Sequence, residues 1–227
     1  VVNTGSKIYT IDFKKHALLS EHNFENGENI LETCPASEAV AYLKDNNLYV
    51  TRGLKVWQLS TDGSRDIVYG QSVHRDEFGI RKGTYWSNDG EKLAFYRMDQ
   101  SMVTDYPQVD IPEIGFNHPE TQSCIATAAP DKYPMAGETS HKVTVGVFNL
   151  NTGKTVYLQA GDPTDRYFTN ISWSPDSKTI YMFELNRDQN DCHLVAYNAE
   201  TGKKQCELYH ETDEKYVEPQ NPIVFLP

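Results

Sequence analysis

Three stretches decide the fold. Cys34-Pro35-Ala36-Ser37-Glu38-Ala39-Val40-Ala41-Tyr42, Ser87-Asn88-Asp89-Gly90-Glu91-Lys92-Leu93-Ala94-Phe95 and Ser174-Pro175-Asp176-Ser177-Lys178-Thr179-Ile180-Tyr181-Met182 align without gaps. Trp86 and Trp173 stand immediately before the second and third. The shared pattern is a small residue, a quartet rich in Pro, Asp, Asn, Ser and Gly, then an apolar strand. Such quartets pre-set the dihedrals of a type I turn joining two antiparallel strands. The first and second copies are 53 residues apart and the second and third 87 apart. Phe225-Leu226-Pro227 reads as the start of a fourth copy, 52 residues after the third. The unit is therefore about 52 residues long, and one unit carries roughly 35 more.

Each unit adds a second hairpin. Asn149-Leu150-Asn151-Thr152-Gly153-Lys154 lies between the strand-like runs 143–148 and 155–158, and Asn198-Ala199-Glu200-Thr201-Gly202-Lys203 lies between 193–197 and 205–209. Ser60-Thr61-Asp62-Gly63 is assigned the same part after 48–59. Glycine at the end of these turns supplies the positive φ that the bend needs. Lys7-Ile8-Tyr9-Thr10-Ile11-Asp12 and Ala17-Leu18-Leu19 read as the outer half of an earlier unit.

Four short strands per repeat of this length is the signature of a β-propeller. The chain is expected to be all-β: a partial β-propeller of about three and a half four-stranded antiparallel blades, read as an excerpt of a larger ring. Residues 1–27 end one blade and 28–72 form the next. Residues 73–82 are an acidic segment between blades, and 83–160 are a blade with a long insertion at 98–141. Residues 166–215 form another blade and 216–227 begin the one after. A short turn of helix is expected over Val73 to Ile80. The insertion holds Pro107, Pro112, Pro119, Pro130 and Pro134 and reads as an extended excursion with a hairpin of its own.

Composition excludes several functions. Against 21 Lys and Arg stand 32 Asp and Glu, a net charge of −11. Nucleic acid binding needs a basic face, which this balance does not provide, and adhesion to anionic membranes is disfavoured for the same reason. No apolar run approaches the ~20 residues of a membrane span. The opening Val1-Val2-Asn3-Thr4-Gly5 is not a signal peptide. Cys34, Cys124, Cys192 and Cys206 form no metal-binding spacing and are read as separate thiols, with a Cys192–Cys206 disulfide as the alternative.

A longer likeness rests on Val73-His74-Arg75-Asp76-Glu77-Phe78-Gly79-Ile80, Lys82-Gly83-Thr84-Tyr85-Trp86-Ser87, Leu93-Ala94-Phe95-Tyr96-Arg97-Met98-Asp99-Gln100-Ser101-Met102-Val103 and Tyr106-Pro107. Tyr133-Pro134-Met135-Ala136-Gly137, Val143-Thr144-Val145-Gly146-Val147, Gly153-Lys154-Thr155-Val156-Tyr157-Leu158 and Leu185-Asn186-Arg187-Asp188-Gln189-Asn190 extend it over essentially the whole chain. Together these resemble the N-terminal propeller of the dipeptidyl peptidase IV family, in the prolyl oligopeptidase group of serine peptidases, and the Tyr96–Val103 segment looks like its bacterial branch. The resemblance implies an eight-bladed propeller capping an α/β-hydrolase domain that holds the Ser, Asp and His. It implies release of Xaa-Pro and Xaa-Ala dipeptides from peptide N-termini, a homodimer with contacts from about residues 104 to 135, no cofactor, and a periplasmic, cell-surface or secreted location. This stretch has no Gly-x-Ser-x-Gly elbow, so alone it is expected to be inactive.

In that family a pair of acidic residues on a short segment between blades binds the substrate's free α-ammonium. The matching residues here are Asp76 and Glu77. The sequence departs from the commoner adjacent glutamates. A gapless count back from Trp86-Ser87 places Arg75 and Asp76 in the two slots instead, so the register stays open. The chemistry is direct, because paired carboxylates give charge-assisted hydrogen bonds to a cation in a poorly hydrated cavity.

Plainer readings stand beside these. Asp76 and Glu77 also suit a solvated acidic turn. His74 reads as an ordinary loop histidine, and Trp86 and Trp173 as packing between blades. Asp99, Asp105, Asp110 and Glu113 match no calcium loop and read as solvated surface. Asn170-Ile171-Ser172 is a glycosylation triplet by pattern. The functional alternative to a peptidase segment is a non-catalytic propeller module that binds a protein partner.

Overall fold

The computed structural model describes residues 2–4, 6–25, 28–111 and 126–226 of the chain. It consists of two units, one of Val1–Asp99 with Lys142–Pro227 and one of Gln100–His141.

The larger unit is a series of antiparallel sheets. Val2–Asn3, Lys7–Asp12 and Ala17–Asn23 form an opening three-stranded sheet. Glu28–Thr33, Val40–Lys44, Asn47–Arg52 and Lys55–Gln58 follow as the first complete blade, each strand pairing with the next in sequence. The second blade is built on Thr84–Trp86, Lys92–Asp99, Lys142–Asn149 and Lys154–Tyr157. The third contains Arg166–Trp173, Thr179–Asn186, Asp191–Asn198 and Lys204–Thr212. Four-stranded blades in sequence order, each covering the face of the next, make this a segment of a β-propeller.

The repeat is visible atom by atom. In the second blade Gly90 N–H donates to Ser87 O at 2.9 Å, and Ser87 Oγ donates to Asp89 Oδ1 at 2.6 Å while accepting Lys92 N–H at 2.9 Å. In the third blade Ser177 N–H donates to Ser174 O at 2.9 Å, and Ser174 Oγ donates to Asp176 Oδ1 at 2.6 Å while accepting Thr179 N–H at 3.0 Å. The hydroxyl at the head of each quartet thus closes the turn and starts the next strand. Successive turns are also bonded to each other. Ser37 Oγ donates to Gly90 O at 3.3 Å, and Asn88 Nδ2 to Ser174 O at 3.0 Å.

The outer hairpins repeat in the same way. Asn149 Oδ1 accepts the N–H of Asn151 and Thr152, and Asn198 Oδ1 accepts those of Glu200 and Thr201. Gly153 and Gly202 close them at φ 68° and 71°. The first blade differs from the sequence assignment. Its outer strands turn at Gly53-Leu54, with Gly53 at φ 59°, and Ser60–Gly63 lies beyond the last strand. A two-residue turn there leaves no Asn-x-x-Thr-Gly signal to find.

The cores lie between blades. Trp86 packs with Cys34, Ala41, Leu48, Leu93 and Phe95 between the first and second blades. Trp173 packs with Tyr96, Val145, Ile180 and Tyr197 between the second and third, and its Nε1 donates to Tyr85 O at 2.9 Å. Leu93 to Tyr96 are all fully buried, because a blade sandwiched between neighbours hides both faces of its middle strands. Gly146 lies opposite Phe95 in the ladder, where a Cβ would fall 2.4 Å from the Phe95 ring.

Two boundaries move. Ile67–Tyr69 pairs with Arg97–Asp99, so these residues belong to the second blade and not to the one assigned to 28–72. The strand assigned to the insertion at Met98 and Asp99 continues the blade, and the excursion spans 100–141. Its described residues form two short strand pairs in one register, Asp105 with Lys132, Tyr106 with Asp131, Val109 with Ala128 and Asp110 with Thr127. Pro107 and Pro130 separate the two pairs, since proline cannot donate to a ladder. Asp105 and Asp110 are exposed on them, whereas Glu113 and Cys124 lie outside the described residues.

Cys34 and Cys192 are buried thiols and Cys206 an exposed one. Cys206 pairs with Ala196 and Cys192 with Glu211, so the ladder keeps Cys192 and Cys206 apart. Phe225 and Leu226, read as the start of a further copy, form no strand.

Candidate functional site

The acidic segment is an insertion into the innermost strand of the second blade. In the third blade that position is one strand, Arg166–Trp173, with a bulge between Thr169 and Ser172. In the second blade the equivalent strand is cut in two: Ile67–Tyr69 and Thr84–Trp86 both pair along Lys92–Asp99. Tyr96 holds both cut ends. Its carbonyl accepts Gly70 N–H at 2.9 Å, and its N–H donates to Gly83 O at 3.0 Å. Gly83 sits where a Cβ would lie 2.0 Å from Gln71 O, so the two limbs touch at the neck of the loop. Residues 70–83 therefore leave and re-enter the blade at one point, as a bulge grown into a compact loop.

The tip of the loop differs from the expected turn of helix. His74, Arg75, Asp76, Phe78 and Gly79 all have positive φ, between 52° and 73°. Glu77 is extended at φ −65° and ψ 167°. Asp76 N–H donates to Val73 O at 3.1 Å and Ile80 N–H to Glu77 O at 3.0 Å. The segment is thus two left-handed turns in succession. Left-handed backbone costs about 1–2 kcal/mol for each residue with a Cβ, and such strain persists only where the surroundings fix it.

Two anchors fix it. Phe78 is 2% exposed and packs with Leu185, Cys192, Val217 and Tyr167 of the third-blade region, its ring 5.0 Å from that of Tyr167. His74, also 2% exposed, accepts the Phe168 N–H on Nε2 at 3.2 Å and stands edge-on to Tyr167. The loop histidine of the sequence reading is therefore a structural anchor. The returning limb is tied to the first blade by the Lys82–Glu32 ion pair.

Between the anchors Arg75, Asp76 and Glu77 are exposed. The Asp76 and Glu77 carboxylates have no hydrogen bond or ion pair with any described residue. The two residues of the sequence assignment are thus adjacent, solvent-facing and carried on a pinned backbone. Neighbouring carboxylates that satisfy no protein partner can both accept hydrogen bonds from one ammonium group. Asn170 of the glycosylation triplet is buried, and its Nδ2 donates to Pro219 O at 2.8 Å. Among the described residues no helix is long and apolar enough to cross a membrane.

Stacked four-stranded blades, one of them carrying an acidic loop between Ile67–Tyr69 and Thr84–Trp86, define a β-propeller segment. The profile of the family described as the dipeptidyl peptidase IV (DPP IV) N-terminal region matches residues 4–227, and the chain belongs to this family. It is 50% identical to a crystal structure assigned as a dipeptidyl aminopeptidase IV from Bacteroides ovatus, with a TM-score of 0.86, covering 100% of this chain and 30% of that one. Against Porphyromonas gingivalis dipeptidyl peptidase 4 the identity is 25% and the TM-score 0.75, over 93% of this chain and 29% of that one. A protein assigned as a dipeptidyl-aminopeptidase B in Pyrenophora tritici-repentis is 29% identical over 95% of this chain. The chain spans 26% of that fungal protein's length.

Proposed function

We propose that this chain is the substrate-gating and N-terminus-recognising propeller segment of a serine exopeptidase that releases Xaa-Pro and Xaa-Ala dipeptides. Asp76 and Glu77 would bind the α-ammonium of the substrate. The observation that carries this reading is the pair's setting: two carboxylates without a partner among the described residues, on a left-handed loop whose flanking residues are buried in the neighbouring blade. A surface turn with no task has no need of four strained non-glycine residues. Family membership supports the reading independently.

On this reading the nucleophile, its base and the oxyanion hole belong to an α/β-hydrolase domain of the same full-length protein. The pinned loop acts as a ruler. An ammonium held there sets the scissile bond two residues in, and a chain continuing past the carboxylates brings no charge and meets the loop. The excursion at 100–141, with Val109 and Ile111 largely exposed, is a candidate for homodimer contacts. The matching location is periplasmic, cell-surface or secreted.

The test uses the full-length protein with a Gly-Pro anilide and its N-acetylated counterpart. Release of product from the free amine, with acetylated substrate slower by at least about 100-fold, is expected from loss of a charge-assisted contact. Equal rates on both substrates overturn the recognition role.

A further inference from the structure

The outer hairpin of the third blade carries a second cluster, remote in sequence from the acidic loop. Asp191 and His193 are two residues apart on one strand and share a face. His210 lies directly opposite His193 on Lys204–Thr212. Glu207 is three residues from His210, a spacing that puts side chains on opposite faces of a regular strand. The ladder shifts between Leu194↔Tyr209 and Val195↔Glu207, so Leu208 is the unpaired residue of a bulge and Glu207 returns to the histidine face.

The four groups converge. His210 Nε2 is 2.6 Å and His193 Nε2 3.2 Å from the same Asp191 Oδ1. The imidazoles stack with centroids 4.2 Å apart and planes 8° from parallel. Glu207 Oε1 lies 3.1 Å from His193 Nδ1, on the far side of that ring from Asp191, in a contact too bent to count as a hydrogen bond.

We propose that Asp191, His193 and His210 form a zinc-binding site on this hairpin, with Glu207 placed to accept the His193 Nδ1–H once the bound ion seats the ring. The three ligand atoms lie within 4.8 Å of one another, and an ion about 2.0–2.2 Å from each needs them roughly 3.4 Å apart, so His210 moves off Asp191 to admit it. Two imidazoles and one carboxylate suit zinc, whereas calcium and magnesium take oxygen ligands. A carboxylate on the second nitrogen of a ligating histidine is the usual support for such a site. His210 is half-exposed, so its ring can turn out of the stack and aim its in-plane lone pair at the ion. Three protein ligands leave one position for water or for a group from a binding partner. Sequence spacing hides the site because its ligands come from two strands, one of them bulged.

The full-length protein, stripped with EDTA and desalted, is titrated with zinc chloride against a chromogenic zinc chelator. Wild type is expected to bind one more zinc per chain than His210→Ala or Asp191→Asn, and Glu207→Gln to weaken that zinc by about 10–100-fold. Unchanged melting temperatures in EDTA establish that the variants fold. Where one of them melts early, cobalt(II) titration of wild type supplies the check. Appearance of tetrahedral d–d absorption, lost on adding zinc, supports the site. Equal zinc stoichiometry and affinity in wild type and both ligand variants overturns it, as does a wild type that needs millimolar zinc.

Discussion

Phe78→Ala tests whether the acidic loop is held by its anchors. Phe78 is 2% exposed and closes a cluster with Leu185, Cys192 and Val217. Truncating a buried phenylalanine costs about 3–5 kcal/mol. Left-handed backbone at His74, Arg75, Asp76 and Phe78 costs roughly 1–2 kcal/mol each, about 4–8 kcal/mol together. The packing loss and the strain are of similar size, so without the ring the left-handed turns lose most of what holds them. The blade ladders do not depend on this contact, so the expected result is local opening. Hydrogen exchange on the full-length protein reads it directly. Asp76 and Ile80 N–H, bonded to Val73 O and Glu77 O, should exchange at least about 100-fold faster, the equivalent of about 3 kcal/mol. Peptides over 92–99 and 142–149 should keep their protection. Phe78→Leu, which retains most of the volume, should cost about 1 kcal/mol. Unchanged exchange at Asp76 and Ile80 in Phe78→Ala refutes the anchoring argument, and so does uniform loss across the blade.

Other consequences are open to direct measurement. Ser174→Ala removes the hydroxyl that accepts Thr179 N–H and donates to Asp176. It should lower stability by about 1–2 kcal/mol, Ser87→Ala should match it, and thermal melts showing clearly unequal costs contradict the repeat. Gly146→Ala pushes a methyl into the Phe95 ring and should cost about 1–3 kcal/mol in the same assay. The Tyr69 hydroxyl, donating to Asp62 at 2.6 Å, is the chief cause of the lowered Asp62 carboxyl pKa. A depressed carboxyl contributes stability that is present above its ordinary value and lost as pH falls below about 4. Asp62→Asn should therefore flatten the melting-temperature profile between pH 5 and pH 2.5, roughly the carboxylate range. Burial, then Asp62, raises the Tyr69 phenol, so that contribution is intact below its ordinary pKa near 10 and lost as pH rises above it. Tyr69→Phe should remove the alkaline loss.

The blades were readable because their turns are local. Ser87–Gly90 and Ser174–Ser177 make their bonds within a few residues, so the quartet carries the turn wherever it occurs. The excursion at 100–141 announced itself through prolines and an irregular spacing. What the local sequence does not signal depends on long-range pairing. Ile67–Tyr69 joins the second blade through Arg97–Asp99, about thirty residues on, and nothing in those three residues names the partner. The left-handed backbone at His74–Asp76 and Phe78–Gly79 follows from burial of His74 and Phe78 against Tyr167, which the local residues cannot signal. Asp76 and Glu77 were found by likeness to a family and not by composition, since adjacent acids on a turn are ordinary surface. The His193–His210 pair depends on two register shifts in the hairpin, at Gln205 and Leu208, and period-two reasoning places Glu207 on the wrong face.

The central claim is that Asp76 and Glu77 receive the substrate's ammonium, and the most direct measurement is kcat/KM of full-length Glu77→Gln and Asp76→Asn on a Gly-Pro anilide. Loss of a charge-assisted contact of about 2–4 kcal/mol predicts a raised KM and a fall in kcat/KM of about 30- to 1,000-fold. The larger effect identifies the residue that carries more of the contact and settles whether the pair is Asp76-Glu77 or Arg75-Asp76. Wild-type kinetics in both variants would contradict the account.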